Sequence, residues 1–225
     1  MTVIAVLNQK GGVGKTTVSL HLATALAARA GGDRHKVLFI DADKQGSALD
    51  WSTERTAQPN FPVIGLPKAT LHREVPTLGK GYDWVIIDGP PGGNDVARSA
   101  IGAADVVLIP VQPSPFDVWA AREIVDIVGE CQTLKPDLVT RFVINRLFEN
   151  TTLGGEVKDA LAEFEIPRLD SVIKNRTEYA KAARSGLTAI ETDRRGAAAQ
   201  DFEALVEELY TLLGLNAARK VGARG

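Results

Sequence analysis

The sequence predicts an α/β fold, with a mostly parallel, twisted sheet flanked by helices on both faces. Short apolar runs alternate with segments of helical periodicity, and polar residues follow several runs directly. Uninterrupted apolar runs are typical of strands buried on both faces of a parallel sheet. The strands predicted from these runs lie at residues 3–7, 37–40, 84–87, 105–110 and 141–146. A chain of 225 residues suits one such domain, predicted at 1–214, before a basic tail at 215–225 that we predict to be disordered.

The composition excludes several classes of protein. The net charge of −2 does not demand a nucleic-acid partner, although a near-neutral chain can still present a basic face. A single cysteine, Cys131, excludes a disulfide framework and a cysteine-rich metal site within one chain. No apolar run approaches the length of a membrane span. We therefore expect a cytoplasmic protein without stable membrane association.

A glycine-rich turn joins the first apolar run to a helix and has the properties of a phosphate cradle. Its glycines permit backbone angles that turn successive N–H groups onto phosphate oxygens, at the positive end of the helix. Lys15 supplies a charge for the β- and γ-phosphates, and the Thr16 hydroxyl is the expected Mg²⁺ ligand. The predicted nucleotide-binding residues of this turn are Gly11, Gly12, Val13, Gly14, Lys15, Thr16 and Thr17.

Carboxylates follow two further apolar runs, where open parallel sheets bind their ligands. Asp88 ends one run, and we expect it to hold the Mg²⁺ hydration shell opposite Thr16. Asp41 and Asp43 end another, and one of the pair can polarise water or orient water ligands of Mg²⁺. The alternative is that both only cap the helix starting near Ser47, because aspartate is a favoured cap.

The segment at residues 10–17, KGGVGKTT, resembles the deviant Walker A box of the ParA/MinD ATPases, which are P-loop NTPases of the SIMIBI class. The resemblance implies ATP and Mg²⁺ as cofactors and makes Lys10 the signature lysine, which reaches across a nucleotide-sandwich homodimer. It assigns catalytic roles to Lys10, Lys15 and Asp43. Asp43 matches the family's second aspartate, which positions the attacking water and joins Thr16 and Asp88 as a metal residue. Lys44 stands where the family usually has proline.

Two later segments bear on the nucleotide and on the dimer. Asn145 ends an apolar run, and its amide can pair with a purine edge. The family places an adenine-reading asparagine there, and this strand end lacks the N-K-x-D or T-K-x-D box that GTPases use, so ATP is favoured over GTP. Residues 110–117 resemble a proline-containing segment of small plasmid ParA proteins, which lies beside the nucleotide and the dimer contact. A plain helix-start loop is the alternative.

Residues 168–195 form the most basic segment, with seven Arg and Lys side chains against four Asp and Glu. A charge run is usually a solvated face. The resemblance offers an alternative, because ParA dimers grip DNA phosphates with basic residues of their C-terminal part without reading sequence. On this basis, the predicted DNA-binding residues are Lys174, Arg176, Lys181 and Arg184.

The resemblance, closest to small plasmid-partition ParA proteins, implies a nucleoid-associated ATPase with weak intrinsic activity. It would dimerise on ATP, bind DNA non-specifically and move plasmid or chromosome DNA. A ParB-like or small centromere-binding adaptor would stimulate hydrolysis. Three alternatives are a protein cargo, a membrane regulator resembling MinD and a metallocluster relative. A MinD-like regulator needs bulky apolar residues that the tail lacks, and a metallocluster relative needs cysteines at the dimer seam.

Overall fold

The computed structural model describes residues 1–29, 35–93, 95–148, 157 and 159–215. Across these residues, seven strands form one sheet in which every neighbouring pair is parallel. They are β1 (Thr2–Val6), β2 (Val37–Asp41), β3 (Val63–Gly65), β4 (Trp84–Asp88), β5 (Val106–Val111), β6 (Val139–Leu147) and β7 (Arg168–Lys174). Their order in the sheet is β3-β2-β4-β1-β5-β6-β7.

Helices cover both faces of the sheet, which confirms the predicted fold class. They are α1 (Lys15–Ala28), α2 (Ser47–Thr53), α3 (Leu71–Leu78), α4 (Asp95–Ala103), α5 (Pro115–Gln132), α6 (Thr177–Ala183), α7 (Ala189–Thr192) and α8 (Ala197–Leu212). Helices α3, α4 and α5 bury their apolar side chains against one face. Helices α1, α2 and α8 pack on the other face. Because α8 also lies against α1, side chains around most of α1 are buried.

The strand order places the polar strand ends next to one another. Strand β1 lies at the centre, between β4 and β5, and β4 also pairs with β2. Asp88 at the end of β4 is in register with Val6 of β1 on one side and with Asp41 of β2 on the other. The glycine-rich turn and both acidic strand ends therefore meet at one edge of the sheet.

The structure adds two details to the predicted elements. Helix α1 begins at Lys15, so the phosphate-binding turn runs straight into the first helical turn. Strand β7 was not predicted, because its sequence appears only as part of the basic segment. As an edge strand it needs one buried face, which Leu169 and Ile173 supply.

The end of the chain leaves one prediction open. Apart from Leu215, the tail predicted to be disordered lies outside the described residues, and the domain boundary stays a prediction. Over the ranges that the structure does cover, no helix has the length and apolar character needed to cross a bilayer.

His21 joins helix α1 to the segment that precedes α8. Its Nδ1 donates to the carbonyl oxygen of Thr17 at 2.8 Å, and its Nε2 accepts the Ala189 N–H at 2.9 Å. The ring is buried and packs against Tyr179 and Phe202. Burial lowers the pKa of His21 to about 4, although the Thr17 carbonyl and the charge of Glu191 act in the opposite direction. The imidazole is therefore a neutral structural link at pH 7.

This link predicts an acid-sensitive contribution to stability. Below the ordinary histidine pKa of about 6.5, the unfolded chain binds a proton that the folded chain excludes until about pH 4. The contribution of His21 to the free energy of unfolding is therefore complete above pH 6.5 and is lost as the pH falls towards 4. Between pH 7 and pH 5, we expect the free energy of unfolding to decrease by about 2 kcal/mol from this cause. We expect His21→Gln to remove this part of the pH dependence, as measured by urea unfolding at both pH values. An identical loss in the two proteins would contradict the assignment.

Candidate nucleotide-binding site

The backbone of the glycine-rich turn forms an open cradle at the start of α1. Gly12 and Gly14 have φ angles of 78° and 95°, which side-chain-bearing residues rarely adopt. A Cβ added at Gly12 would meet nothing within 4 Å, so space remains above the turn. A Cβ at Gly14 would lie 2.4 Å from Nδ2 of Asn145, so glycine is required there for close packing. This shape, at the positive end of a helix, fits a phosphate group.

Lys15 is held inside the site. Only 7% of the residue is exposed, and its Nζ donates to the carbonyl oxygen of Lys10 at 3.3 Å. Burial lowers the pKa of Lys15, while the negative charges of Asp88 and Asp43 raise it. The ammonium therefore lies close to both predicted metal-site carboxylates, as its predicted contact with phosphates requires.

Asp88 provides the observation that fits a metal ion most directly. Its Oδ1 lies 3.0 Å from the Ser19 hydroxyl, whereas its buried Oδ2 has no hydrogen-bond partner among the described residues. Burial raises the pKa of Asp88 to about 7, and the nearby Thr16 and Ser19 hydroxyls act in the opposite direction. Thr16 and Asp88 are thus adjacent, and an oxygen pair of this kind suits Mg²⁺.

The structure gives the two aspartates after β2 different surroundings. Oδ2 of Asp41 accepts the N–H groups of Ala48 and Leu49 at 2.9 and 3.1 Å, so this buried carboxylate caps α2. Asp43 is partly exposed, and its Oδ1 accepts the N–H of Gln45 at 2.9 Å. The capping alternative therefore holds for Asp41, and Asp43 faces the site as the candidate for orienting water.

Lys10 does not face the cradle that its neighbours form. Its Nζ donates to Oδ2 of Asp117 at 3.0 Å, in the first turn of α5. The Lys10 side chain remains 42% exposed, whereas that of Asp117 is only 5% exposed. A second contact joins these regions, because Nε2 of Gln112 donates to the Gly12 carbonyl oxygen at 3.0 Å. The loop before α5 is thus attached to the phosphate-binding turn.

The Asn145 side chain lies at the site and forms hydrogen bonds with other residues of the same chain. Its Nδ2 donates to the Val13 carbonyl oxygen at 2.7 Å, and its Oδ1 accepts the Arg146 N–H at 2.9 Å. In the part of the chain that the structure describes, Arg146 alone has a positive φ, 55°, among residues other than glycine. Asn145 therefore braces the phosphate-binding turn, and its reading of a purine edge stays a prediction.

Sequence reasoning missed three functional candidates. Ser19 contacts Asp88, Asp117 holds Lys10, and Gln9 packs against the loop after β4. The Gln9 carbonyl oxygen accepts the Gly92 N–H at 3.1 Å, and a Cβ at Gly93 would lie 2.2 Å from Nε2 of Gln9. Ser19 follows Lys15 by one helical turn, and this spacing was a usable signal. The roles of Asp117 and Gln9 depend on contacts with residues far away in the sequence, so no local spacing indicates them.

The predicted DNA-binding residues lie on and after β7, which is an edge strand. Because the strands are parallel, the carboxyl end of β7 is on the same side of the sheet as the nucleotide site. Lys181 and Arg184 are exposed at the end of α6. Arg176 makes a bidentate pair with Asp201, through Nε at 2.9 Å and Nη2 at 3.0 Å. Lys174 is half-buried and donates its backbone N–H to the same carboxylate. Lys181 and Arg184 are thus the most accessible of the four.

The turn, the buried lysine and the strand-end carboxylates define a P-loop nucleotide-binding protein. The chain belongs to the CobQ/CobB/MinD/ParA nucleotide-binding domain family, whose model matches residues 4–189. This finding confirms the family predicted from the deviant Walker A box.

Individual relatives agree with this assignment. The chain is 34% identical over 212 residues to the maintenance of carboxysome distribution protein A of Gloeobacter kilaueensis, covering 92% of this chain and 93% of the relative. It is 28% identical over 259 residues to the chromosome partitioning protein ParA of Caulobacter vibrioides, covering 94% of each. The septum site-determining protein MinD of Pyrococcus horikoshii, solved with Mg-ADP, matches with a TM-score of 0.74 and 22% identity, covering 95% and 98% of the two chains.

Proposed function

We propose that this protein is an ATPase that dimerises when it binds Mg-ATP, binds DNA without sequence preference and positions a cargo. The phosphate cradle, Lys15 and the oxygens of Thr16, Asp43 and Asp88 would hold the nucleotide and its metal. When bound, Mg²⁺ would neutralise phosphate charge in the transition state. Asp43 would orient the attacking water, since Asp41 is already engaged as a cap.

The direction of the Lys10 side chain is the main observation that supports the proposed dimer. A lysine in a phosphate-binding turn would ordinarily contact the phosphates of its own site, yet Lys10 turns to Asp117 and stays 42% exposed. In a dimer, this exposed ammonium would exchange Asp117 for the phosphates of the nucleotide in a second protomer facing this surface. Such a contribution resembles an arginine finger supplied in trans. Hydrolysis would therefore require the dimer and stay slow until an adaptor, of ParB type or a small centromere-binding protein, stimulates it.

The DNA half of the proposal depends on the exposed positive charges around α6. Lys181 and Arg184 are expected to contact phosphates, with Lys174 and Arg176 beside them. Contacts of this kind release counterions and give affinity without sequence preference. Since Arg176 is paired with Asp201, we expect it to contribute less than the two exposed residues. Nucleoid association follows from the same contacts.

The first experiment compares DNA co-sedimentation with ATP, ADP and no nucleotide. We expect binding with ATP only, and about tenfold weaker binding by a Lys181→Ala/Arg184→Ala variant at 0.1 M salt. The log–log slope of affinity against salt should also fall by about one for each phosphate that the variant no longer binds. Arg73→Ala/Lys80→Ala removes the same charge from exposed positions on and after α3, and is the matched control. The DNA-binding proposal would be contradicted if both variants bound DNA equally weakly, or if the protein bound DNA without ATP.

Two kinds of cargo are compatible with this cycle, and similarity supports both. The sequence resemblance to small plasmid-partition proteins favours plasmid or chromosome DNA. The 34% identity to a carboxysome distribution protein supports a protein assembly as the second candidate. Affinity capture from the native host on the ATP-bound protein separates them, because a DNA cargo should bring a centromere-binding adaptor and a protein cargo should bring components of the assembly.

A further inference from the structure

Two aromatic side chains in the first turns of α5 are exposed to an unusual degree. Phe116 and Trp119 are 69% and 63% exposed. Their ring centroids lie 5.4 Å apart at an interplanar angle of 80°, the edge-to-face geometry of a stable aromatic pair. Single exposed apolar residues need no explanation, whereas a packed aromatic pair in water indicates a contact surface. We call Phe116 and Trp119 the α5 aromatic pair.

The position of this pair indicates what covers it. Asp117 lies between the two aromatic residues in sequence and holds Lys10 of the phosphate-binding turn at 3.0 Å. The preceding loop is joined to the same turn by the bond from Gln112 to Gly12. The start of α5, which contains the α5 aromatic pair, therefore lies beside the turn that contains Lys10. A second protomer that covers this turn would extend to the start of α5.

We infer that the α5 aromatic pair is the apolar anchor of the ATP-bound homodimer and is buried by a second copy of this chain. The inference depends on the proposed function, since it extends the surface around Lys10 that the dimer would cover. Two-fold symmetry presents the pair of each protomer to the same interface, which doubles the apolar area buried. Tryptophan is also enriched among the residues that dominate binding energy at the centres of interfaces.

The chain contains its own reporter for this burial. Of its three tryptophans, Trp51 and Trp84 are only 9% and 3% exposed and pack against the opposite face of the sheet. Trp119 is therefore the tryptophan that responds to a partner at α5. We expect Mg²⁺ with a non-hydrolysable ATP analogue to shift the emission to shorter wavelength, in step with dimerisation measured by analytical ultracentrifugation. Trp119→Phe should remove the shift but keep the dimer.

Variants test whether the pair stabilises the dimer. Phe116→Ala/Trp119→Ala should weaken dimerisation by about 30-fold or more, while each monomer keeps its affinity for nucleotide. Leu134→Ala removes a side chain that is 90% exposed near the other end of α5, and this control should dimerise as the wild type does. Nucleotide binding by the double variant also shows that it is folded.

The outcomes separate this inference from the proposed function. If the wild type stays monomeric with the ATP analogue, the proposed function and this inference both fail. If it dimerises with unchanged Trp119 emission, or if the double variant dimerises equally well, only the inference is overturned. A shift that requires an added adaptor protein would likewise overturn it, by assigning the pair to that partner.

Discussion

Replacing Lys15 by alanine should weaken Mg-ATP binding by at least 100-fold. This is the largest loss of nucleotide affinity that we expect from a single substitution in this chain. The ammonium lies in a buried site and contributes charge-assisted hydrogen bonds to phosphates. A hundredfold change corresponds to about 2.7 kcal/mol, within the range that one or two such bonds supply. Isothermal titration calorimetry with Mg-ATP measures the effect directly.

The design needs a control for charge and one for folding. Lys44→Ala removes an equal charge from the neighbouring loop, where the side chain is exposed, and should leave the affinity within a few-fold of the wild type. Thermal unfolding without nucleotide verifies that Lys15→Ala still folds. Retention of wild-type affinity in the folded Lys15→Ala protein would remove the phosphate-binding role.

Lys10→Ala should leave ATP affinity nearly unchanged and reduce the maximal hydrolysis rate by about 100-fold or more. Lys10 turns away from its own site, so its loss removes little ground-state binding. In the dimer its charge would stabilise the transition state of the partner's reaction, and comparable charges supplied in trans increase rates by about 10³ to 10⁵. Phosphate release at saturating ATP, with equilibrium binding measured separately, gives the two quantities.

One complication arises from the partner of Lys10. Asp117 is 5% exposed and its Oδ1 already has no hydrogen-bond partner among the described residues, so removal of Lys10 leaves a buried, unpaired carboxylate. The double variant Lys10→Ala/Asp117→Asn avoids this and should show the same hydrolysis defect. Asp117→Asn alone, which frees Lys10, is the matched control. Normal hydrolysis in both Lys10 variants would refute a contribution in trans.

Much of the site could be predicted because its determinants are local. Gly12, Gly14, Lys15 and Thr16 lie within one turn between a strand and a helix, where the backbone geometry follows from residue type. Asp88 follows an apolar run, and parallel strands bring such run ends to one edge. In these cases a short stretch of chain contains both the residue and its context.

The remaining parts depend on contacts that span most of the chain. Asp117 pairs with a lysine 107 residues earlier, and His21 accepts a hydrogen bond from a residue 168 positions later. Asp41 caps α2 across seven residues, although capping usually involves an adjacent residue. Strand β7 lacks a continuous apolar run because Asp170 and Ser171 interrupt its apolar residues. No sequence pattern predicts which residues are brought into contact across such distances.

The anchoring of residues 187–191 has a consequence for how nucleotide would control DNA affinity. His21 joins Ala189 to the helix that starts at the phosphate-binding turn, Trp51 donates to the Leu187 carbonyl oxygen, and Arg55 pairs with Glu191. The segment after α6 is therefore attached to α1, to α2 and to the residues just after α2 by these bonds. A swing of the basic surface within one protomer would break these bonds, whereas pairing two protomers leaves them intact. ATP would then act through avidity, since each basic surface raises the effective concentration of DNA at the other.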